Sequence, residues 1–499
     1  MSSKDLKMFR VIVLLSFLVI RASSLNNHSF PNNFMFGVAT ASYQIEGGWD
    51  ADGKGENMWD WWTHTFPEKI SNRYSGDVTC DSYHLWRDDV EMLKHLGVNH
   101  YRLSISWSRV LPEGTTNYVN QKGVEYYRNL FQALLDNGIT PLVTIYHWDL
   151  PQPFNELGGW MNPLIVDYLG DYARVCFQLF GDLVKNWITI NEPQTTCLQG
   201  YTQGYKAPGY ANEGEGIYLC AYTHVLAHAR AYHIYDEEFR ALQNGTISIV
   251  LDSSWSEPAS DSDKDLEAAE TQMEFILGLY ANPIYNGNWP RVVIDRVGTR
   301  SLLEGYSKSR LPEFTQEQID YVKGTYDFFA LNTYATNLIY HQIDVNQSIG
   351  KASYFLDSGT GSKTDPSWKT VVGWVNDVPW GFRKLLNWVS EHYKRPDIFI
   401  TENGWSDYTG ELNDQDRIEY IGNYLSAILD AIYEDGINIL GYTVWTLMDN
   451  FEWQVGYSQK MGLYYVDFDS PNRTRTPKAS AEWFAGVIRG RCLLDQCEN

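Results

Sequence analysis

Eight short apolar runs constrain this chain more than any other feature. They are FMFGVA (34–39), HYRLSIS (100–106), TPLVTIYHW (140–148), VKNWITIN (184–191), TISIVL (246–251), YDFFALNTY (326–334), DIFITEN (397–403) and INILGYTVW (437–445). Their richness in β-branched and aromatic residues, over lengths too short for helices, predicts buried strands. Amphipathic segments lie between most of them. YYRNLFQALLDNG (126–138) and RIEYIGNYLSAILDAIYEDG (417–436) repeat apolar residues at helical spacing and end in Gly. Eight strands alternating with helices predict an α/β fold, a single (β/α)8 TIM barrel. The chain exceeds the roughly 250 residues usual for that architecture. The surplus is expected in long strand-to-helix loops at 40–80, 192–245, 252–325 and 335–395. A doubly wound open sheet is the competing fold, but no GxGxxG fingerprint is present. SGTGSKT (358–364) lacks the lysine placement of a phosphate loop and reads as a polar loop.

The amino end has the layout of a secretory signal peptide. Lys4, Lys7 and Arg10 precede the apolar run 11–20, and Ala22-Ser23-Ser24 offers small residues for cleavage. The expected division is therefore a signal peptide at 1–24 and one barrel domain at 25–499, in a secreted protein. No second long apolar run suggests a membrane anchor. In a secreted chain the sequons at Asn27, Asn244, Asn346 and Asn472 are candidate glycosylation sites. Six cysteines are too sparse for a disulfide scaffold, although Cys492 and Cys497 are placed to close a small loop. Their spacing matches no zinc pattern. The formal net charge of −23 disfavours nucleic acid and anionic membranes as partners. Nothing in the pattern fixes an oligomeric state.

In parallel barrels, chemistry gathers at the C-terminal ends of the strands. Here Gln44 follows the first strand and Arg102 lies in the second. His147-Trp148 close the third, Asn191-Glu192 the fourth, Asn332 and Tyr334 the sixth, Thr401-Glu402-Asn403 the seventh and Trp445 the eighth. Each residue alone has a structural reading: a core histidine, a core tryptophan, an ion pair, a loop hydrogen bond. Together, at seven strand ends, they point to a site. With 19 Trp and 34 Tyr, the chain is also rich in flat apolar faces with polar edges, which suit sugar rings.

Two carboxylates at one barrel mouth support glycosidic bond cleavage. One must hold a proton for the leaving oxygen, and the other must be ionised. Charge repulsion, with a cation beside one member, separates their pKa values. Arg102 is expected to lower that of Glu402. Spacing in the sequence does not decide between retaining and inverting geometry.

The motifs go further. TINEP (189–193) and ITENGW (400–405) resemble the two signatures of glycoside hydrolase family 1, the β-glucosidase family. FMFGVATASYQIEGGWDADGKGENMWD (34–60), RLSISWSRVLP (102–112), YHWDLPQ (146–152) and WTLMDNFEW (445–453) match it as well. The resemblance spans about residues 31–485, and secreted insect members look most similar. It implies a retaining double displacement with Glu192 as acid/base and Glu402 as nucleophile. Asn191 would hold the sugar 2-hydroxyl. Gln44, His147, Glu452 and Trp453 would bind the other hydroxyls, and Trp445 would form the stacking floor. Arg102 and Tyr334 would tune Glu402. No cofactor or metal is implied.

The substrate implied is a small β-glucoside, with aryl, plant-defence and cello-oligosaccharide glucosides all compatible. Phospho-sugar hydrolases of the family carry Ser and Lys where Glu452 stands. Plant thioglucosidases carry Gln in place of Glu192. Insect thioglucosidases keep the glutamate and add cationic residues at positions that align here with neutral Leu198 and Asn337. A neutral O-glucoside is therefore expected over a sulfated thioglucoside. A non-catalytic sugar-binding protein on the same fold is the alternative from another class. Leu198, Trp255, Asn337 and Trp374 are the candidates for the aglycone side.

Overall fold

The computed structural model describes residues 25–347, 350–494 and 496–497; the expected signal peptide at 1–24 lies outside them. The eight runs form β1 (Met35–Ala39), β2 (His100–Ser104), β3 (Thr140–Tyr146), β4 (Asn186–Asn191), β5 (Thr246–Asp252), β6 (Phe329–Asn332), β7 (Ile398–Asn403) and β8 (Ile439–Trp445). All neighbours pair in parallel, and β1 closes on β8 to complete a barrel in chain order. Strands buried on both faces cannot alternate apolar and polar residues, which is why they read as continuous apolar runs.

The helices cover the barrel with single apolar stripes. Helix Ile165–Phe180 buries Ile165, Leu169, Tyr172, Ala173, Cys176, Phe177 and Phe180 along one face. Helix Gln121–Asp136 starts where the Asn120 side chain accepts the Lys122 N–H, satisfying a free helix donor. Leu142, Ile188, Val250, Phe328, Ala330 and Phe399, on or next to the barrel strands, pack into one buried apolar cluster. Above it the inward positions turn polar: Arg102 donates to Thr144 Oγ1. Register shifts interrupt β4–β5 pairing between Ile188 and Asn191, and β7–β6 pairing between Ile400 and Glu402. Such irregularities re-aim side chains, and they fall where the two motif residues enter the barrel mouth.

The long connections hold more structure than expected. Segment 192–245 contains helix Gly216–Ile234, which packs against Ile165–Phe180. Segments 252–325 and 335–395 contribute strands Trp255–Pro258, Thr336–His341 and Thr360–Lys363 to a separate small sheet. SGTGSKT is thus an edge strand in part, not a polar loop; its backbone pairs with 338–341, which the side-chain pattern does not reveal. Cys492 and Cys497 are bonded as anticipated. A second disulfide joins Cys197 to Cys220, while Cys80 and Cys176 are buried thiols. No described helix is long and apolar enough to cross a membrane.

Candidate active site

A cavity of about 560 Å³ opens at the C-terminal ends of the strands. Glu192 and Glu402 both line it, with Gln44, His147, Asn191, Asn332, Tyr334, Trp445, Glu452 and Trp453. Leu198, Asn337 and Trp374 reach the same cavity. Trp255 does not. It lies on the small sheet, lines a different groove with Trp380 and Trp388, and donates its indole N–H to Glu257 at 2.6 Å. Its sequence position, three residues past β5, carries it out of the mouth.

The two glutamates have unlike surroundings. Arg102 donates to Glu402 Oε1 at 2.5 Å, and Tyr334 donates to Oε2 at 2.7 Å. Glu192 Oε1 accepts only an amide N–H, from Asn332 at 2.7 Å. Burial raises the proton affinity of Glu402, but Arg102 and Tyr334 pull against it. The expected lowering by Arg102 is present, yet desolvation outweighs it. Glu192 is pushed well above the usual carboxylate range by burial, then by the Glu402 charge and by Asp252. Of the two, Glu192 is the carboxyl group that keeps its proton.

A chain of bonds fixes the amides. The Asn191 Oδ1 accepts from Arg102 Nη2 at 2.6 Å, so its Nδ2 faces His147 Nε2 at 3.1 Å. Burial, with the charges of Arg102 and Lys206, keeps His147 neutral. Nε2 therefore accepts, and the proton sits on Nδ1, which is buried without a protein partner. Gln44 Nε2 donates to Glu452 Oε2 at 3.2 Å, and its buried Oε1 has no partner. Trp445 Nε1 donates to Glu452 Oε1 at 3.2 Å. The site thus sets polar side chains beside indole faces around the cavity, a combination that suits a ring of hydroxyls. Glu192, Trp148 and Trp453 all adopt positive φ, at 46°, 73° and 54°. Left-handed backbone at bulky residues is costly and gathers at functional sites.

Residues the sequence did not single out also enter. Lys206 reaches the cavity, with its ammonium 4.6 Å from the Trp148 ring centre and its pKa lowered to about 8 by burial. Leu198 and Asn337, the positions aligned with cations in insect thioglucosidases, are neutral as read, and Lys206 brings a cation into the same cavity from elsewhere in segment 192–245. Asp252 lines the cavity too, raised to about 6 by burial. It is the last residue of β5, the one strand whose end was passed over, so the strand-end rule itself points to it. Lys206 carries no comparable signal. Among the described residues, the one cluster with metal-ligand spacing is Cys197, Cys220 and His224, and its two sulfurs are tied in the disulfide.

A closed parallel barrel whose mouth holds two buried glutamates in unlike surroundings, among polar side chains and indoles, has the makings of a glycoside hydrolase. Comparison with known proteins bears on this directly. The model of the family described as Glycosyl hydrolase family 1 matches residues 26–492. The chain is 45% identical to Myrosinase 1 of Brevicoryne brassicae, over 93% of this chain and 99% of that protein. It is 45% identical to the human Cytosolic beta-glucosidase, again over 93% and 99%. The solved structure of aphid myrosinase superimposes with a TM-score of 0.89 at 45% identity, covering 93% of this chain and 99% of that one. The chain belongs to glycosyl hydrolase family 1.

Proposed function

We propose that this glycoside hydrolase is a secreted retaining β-glucosidase acting on neutral β-D-glucosides, with Glu402 as nucleophile and Glu192 as acid/base. The observation that carries the assignment is the asymmetry of the pair. Arg102 and Tyr334 both donate to Glu402, whereas Glu192 is buried with a single amide donor. Glu402 attacks the anomeric carbon while Glu192 gives its proton to the leaving oxygen. Glu192 then takes a proton from the water that hydrolyses the glycosyl ester on Glu402. Asn191, held by Arg102, faces the 2-hydroxyl; Gln44, His147, Glu452 and Trp453 receive the others over Trp445.

Lys206 bears on the aglycone. Burial lowers its proton affinity, with Glu192, Glu452 and Asp252 acting the other way. The neutral Leu198 and Asn337 at the cavity support a neutral aglycone. A second reading, a thioglucosidase acting on sulfated glucosides, draws on the same Lys206 and on the likeness to an aphid myrosinase. Secretion is supported by the signal-like pattern of 1–24, and by the exposure of Asn27, Asn244, Asn346 and Asn472.

A panel of aryl, cyanogenic, cello- and sulfated thio-glucosides, run with wild type and Glu192→Gln, tests the proposal. Neutral O-glucosides should give the higher kcat/KM, and Glu192→Gln should slow poor leaving groups far more than activated aryl glucosides. Faster cleavage of the sulfated substrate would favour the second reading. Equal losses across leaving groups would remove Glu192 from the acid role.

A further inference from the structure

Glu192 sits at φ 46°, ψ 65°, a conformation that a glutamate does not hold unaided. Two contacts from β5 bracket it. Before the bend, the Glu192 N–H donates to Val250 O at 3.0 Å. After it, Thr195, at the end of the single turn Pro193–Thr195, donates its hydroxyl to Asp252 Oδ2 at 2.7 Å. The other oxygen, Asp252 Oδ1, is shielded and accepts no hydrogen bond, while the residue lines the catalytic cavity. The double displacement uses two carboxylates, and Asp252 is a third beside them with half of its acceptor capacity free.

We propose that Asp252 is a positioning residue for the acid/base group, clamping the turn that carries Glu192 and setting a carboxylate charge beside it. The inference rests on the reading of Glu192 as acid/base. The groups facing Glu192 are Glu402, Asp252, Asn332, Lys206 and Tyr334. Those facing Asp252 are Thr195, Glu402 and Lys206, with Tyr280 and Tyr354 from the neighbouring helices. Asp252, with a pKa near 6, is ionised at neutral pH. Its charge then opposes loss of the Glu192 proton, and Lys206 acts the other way. Catalysis needs Glu192 protonated, so the charge on Asp252 extends activity toward alkaline pH. The acid limb depends on Glu402, which Arg102 and Tyr334 hold and which also feels the charge of Asp252.

The test is the pH profile of kcat/KM for Asp252→Asn, Asp252→Glu and Thr195→Val, each checked for wild-type-like circular dichroism and melting. Asp252→Asn should move the alkaline limb to lower pH, with about a threefold or greater loss of rate on that limb. Asp252→Glu should restore it. Thr195→Val, which keeps the charge but cuts the tether, should lower kcat for poor leaving groups without the downward displacement. If Asp252→Asn does not fold, Asp252→Ser is read in the same way. An alkaline limb that coincides with wild type in the folded neutral variant overturns the proposal. Glu192→Gln on an activated aryl glucoside separates the two levels. A limb that persists there removes the acid/base reading itself; a limb that vanishes there but stays fixed in Asp252→Asn removes only the role of Asp252.

Discussion

Replacing Cys197 and Cys220 together by Ala would open the disulfide that closes the base of one wall of the catalytic cavity. The two sulfurs are bonded across a sequence separation of 23, and both residues are fully buried. Closing a loop of that size removes chain entropy from the unfolded state worth about 3.5 kcal/mol at 25 °C. Ala leaves no buried hydroxyl to satisfy, so the loss should be close to that figure. The consequence for activity is more selective. Leu198, Gln199, Tyr205 and Lys206 line the cavity from within the closed loop, while Gln44, His147, Trp445 and Glu452 come from other elements. The variant should therefore alter KM according to the aglycone and leave inhibition by free glucose unchanged. Urea unfolding gives the first number; kinetics on two glucosides of unlike aglycone, with glucose as inhibitor, give the second. A stability loss under about 1 kcal/mol, far below the loop-entropy figure, would refute the entropic reasoning. A matching fall in glucose affinity would refute the claim that this loop serves only the aglycone side.

Three further outcomes follow from other parts of the molecule. Tyr334→Phe removes a donor to the ionised form of Glu402; its pKa rises, so the acid limb of the pH profile should move to higher pH, and an unmoved limb would show that Tyr334 does not tune Glu402. Glu452→Gln weakens the acceptor held by Gln44 and Trp445; losing charged hydrogen bonds to sugar hydroxyls, about 1.5–3 kcal/mol each, should reduce kcat/KM on glucosides by about tenfold or more, and wild-type kinetics would place Glu452 outside the sugar site. Asp357→Asn breaks a fully buried network with Arg300 and Arg310; the expected cost is about 3–5 kcal/mol of stability, measured by denaturant unfolding, and a loss under 1 kcal/mol, well short of that range, would show that the network relaxes freely.

The barrel was legible because a parallel strand buried on both faces leaves an uninterrupted apolar run, and eight such runs leave few alternatives. The strand-end rule brought Glu192, Glu402, Arg102 and His147 together for the same reason. What it missed arose from loops. Lys206 sits in a turn-rich stretch with no periodicity, and only the path of the chain after Glu192 brings it over Trp148. Trp255 was misplaced because the residue after a strand end can join either the mouth or a neighbouring sheet, and pairing with Thr336 takes it to the latter. The Cys197–Cys220 bond depends on how helix Gly216–Ile234 folds back, which spacing alone does not determine.

The central claim is that Glu402 forms a covalent bond to the sugar. It is tested most directly by incubating the purified enzyme with a 2-deoxy-2-fluoro-β-glucoside bearing an activated leaving group, then digesting and mapping the adduct by mass spectrometry. Fluorine destabilises the charge that develops at the anomeric carbon, and the good leaving group lets the first step outrun the second. The account predicts one fluoroglucosyl group per chain, carried on Glu402 in the peptide containing ITENGW, with activity lost in proportion. A label on any other residue, or turnover with no covalent adduct and inverted product, would contradict it.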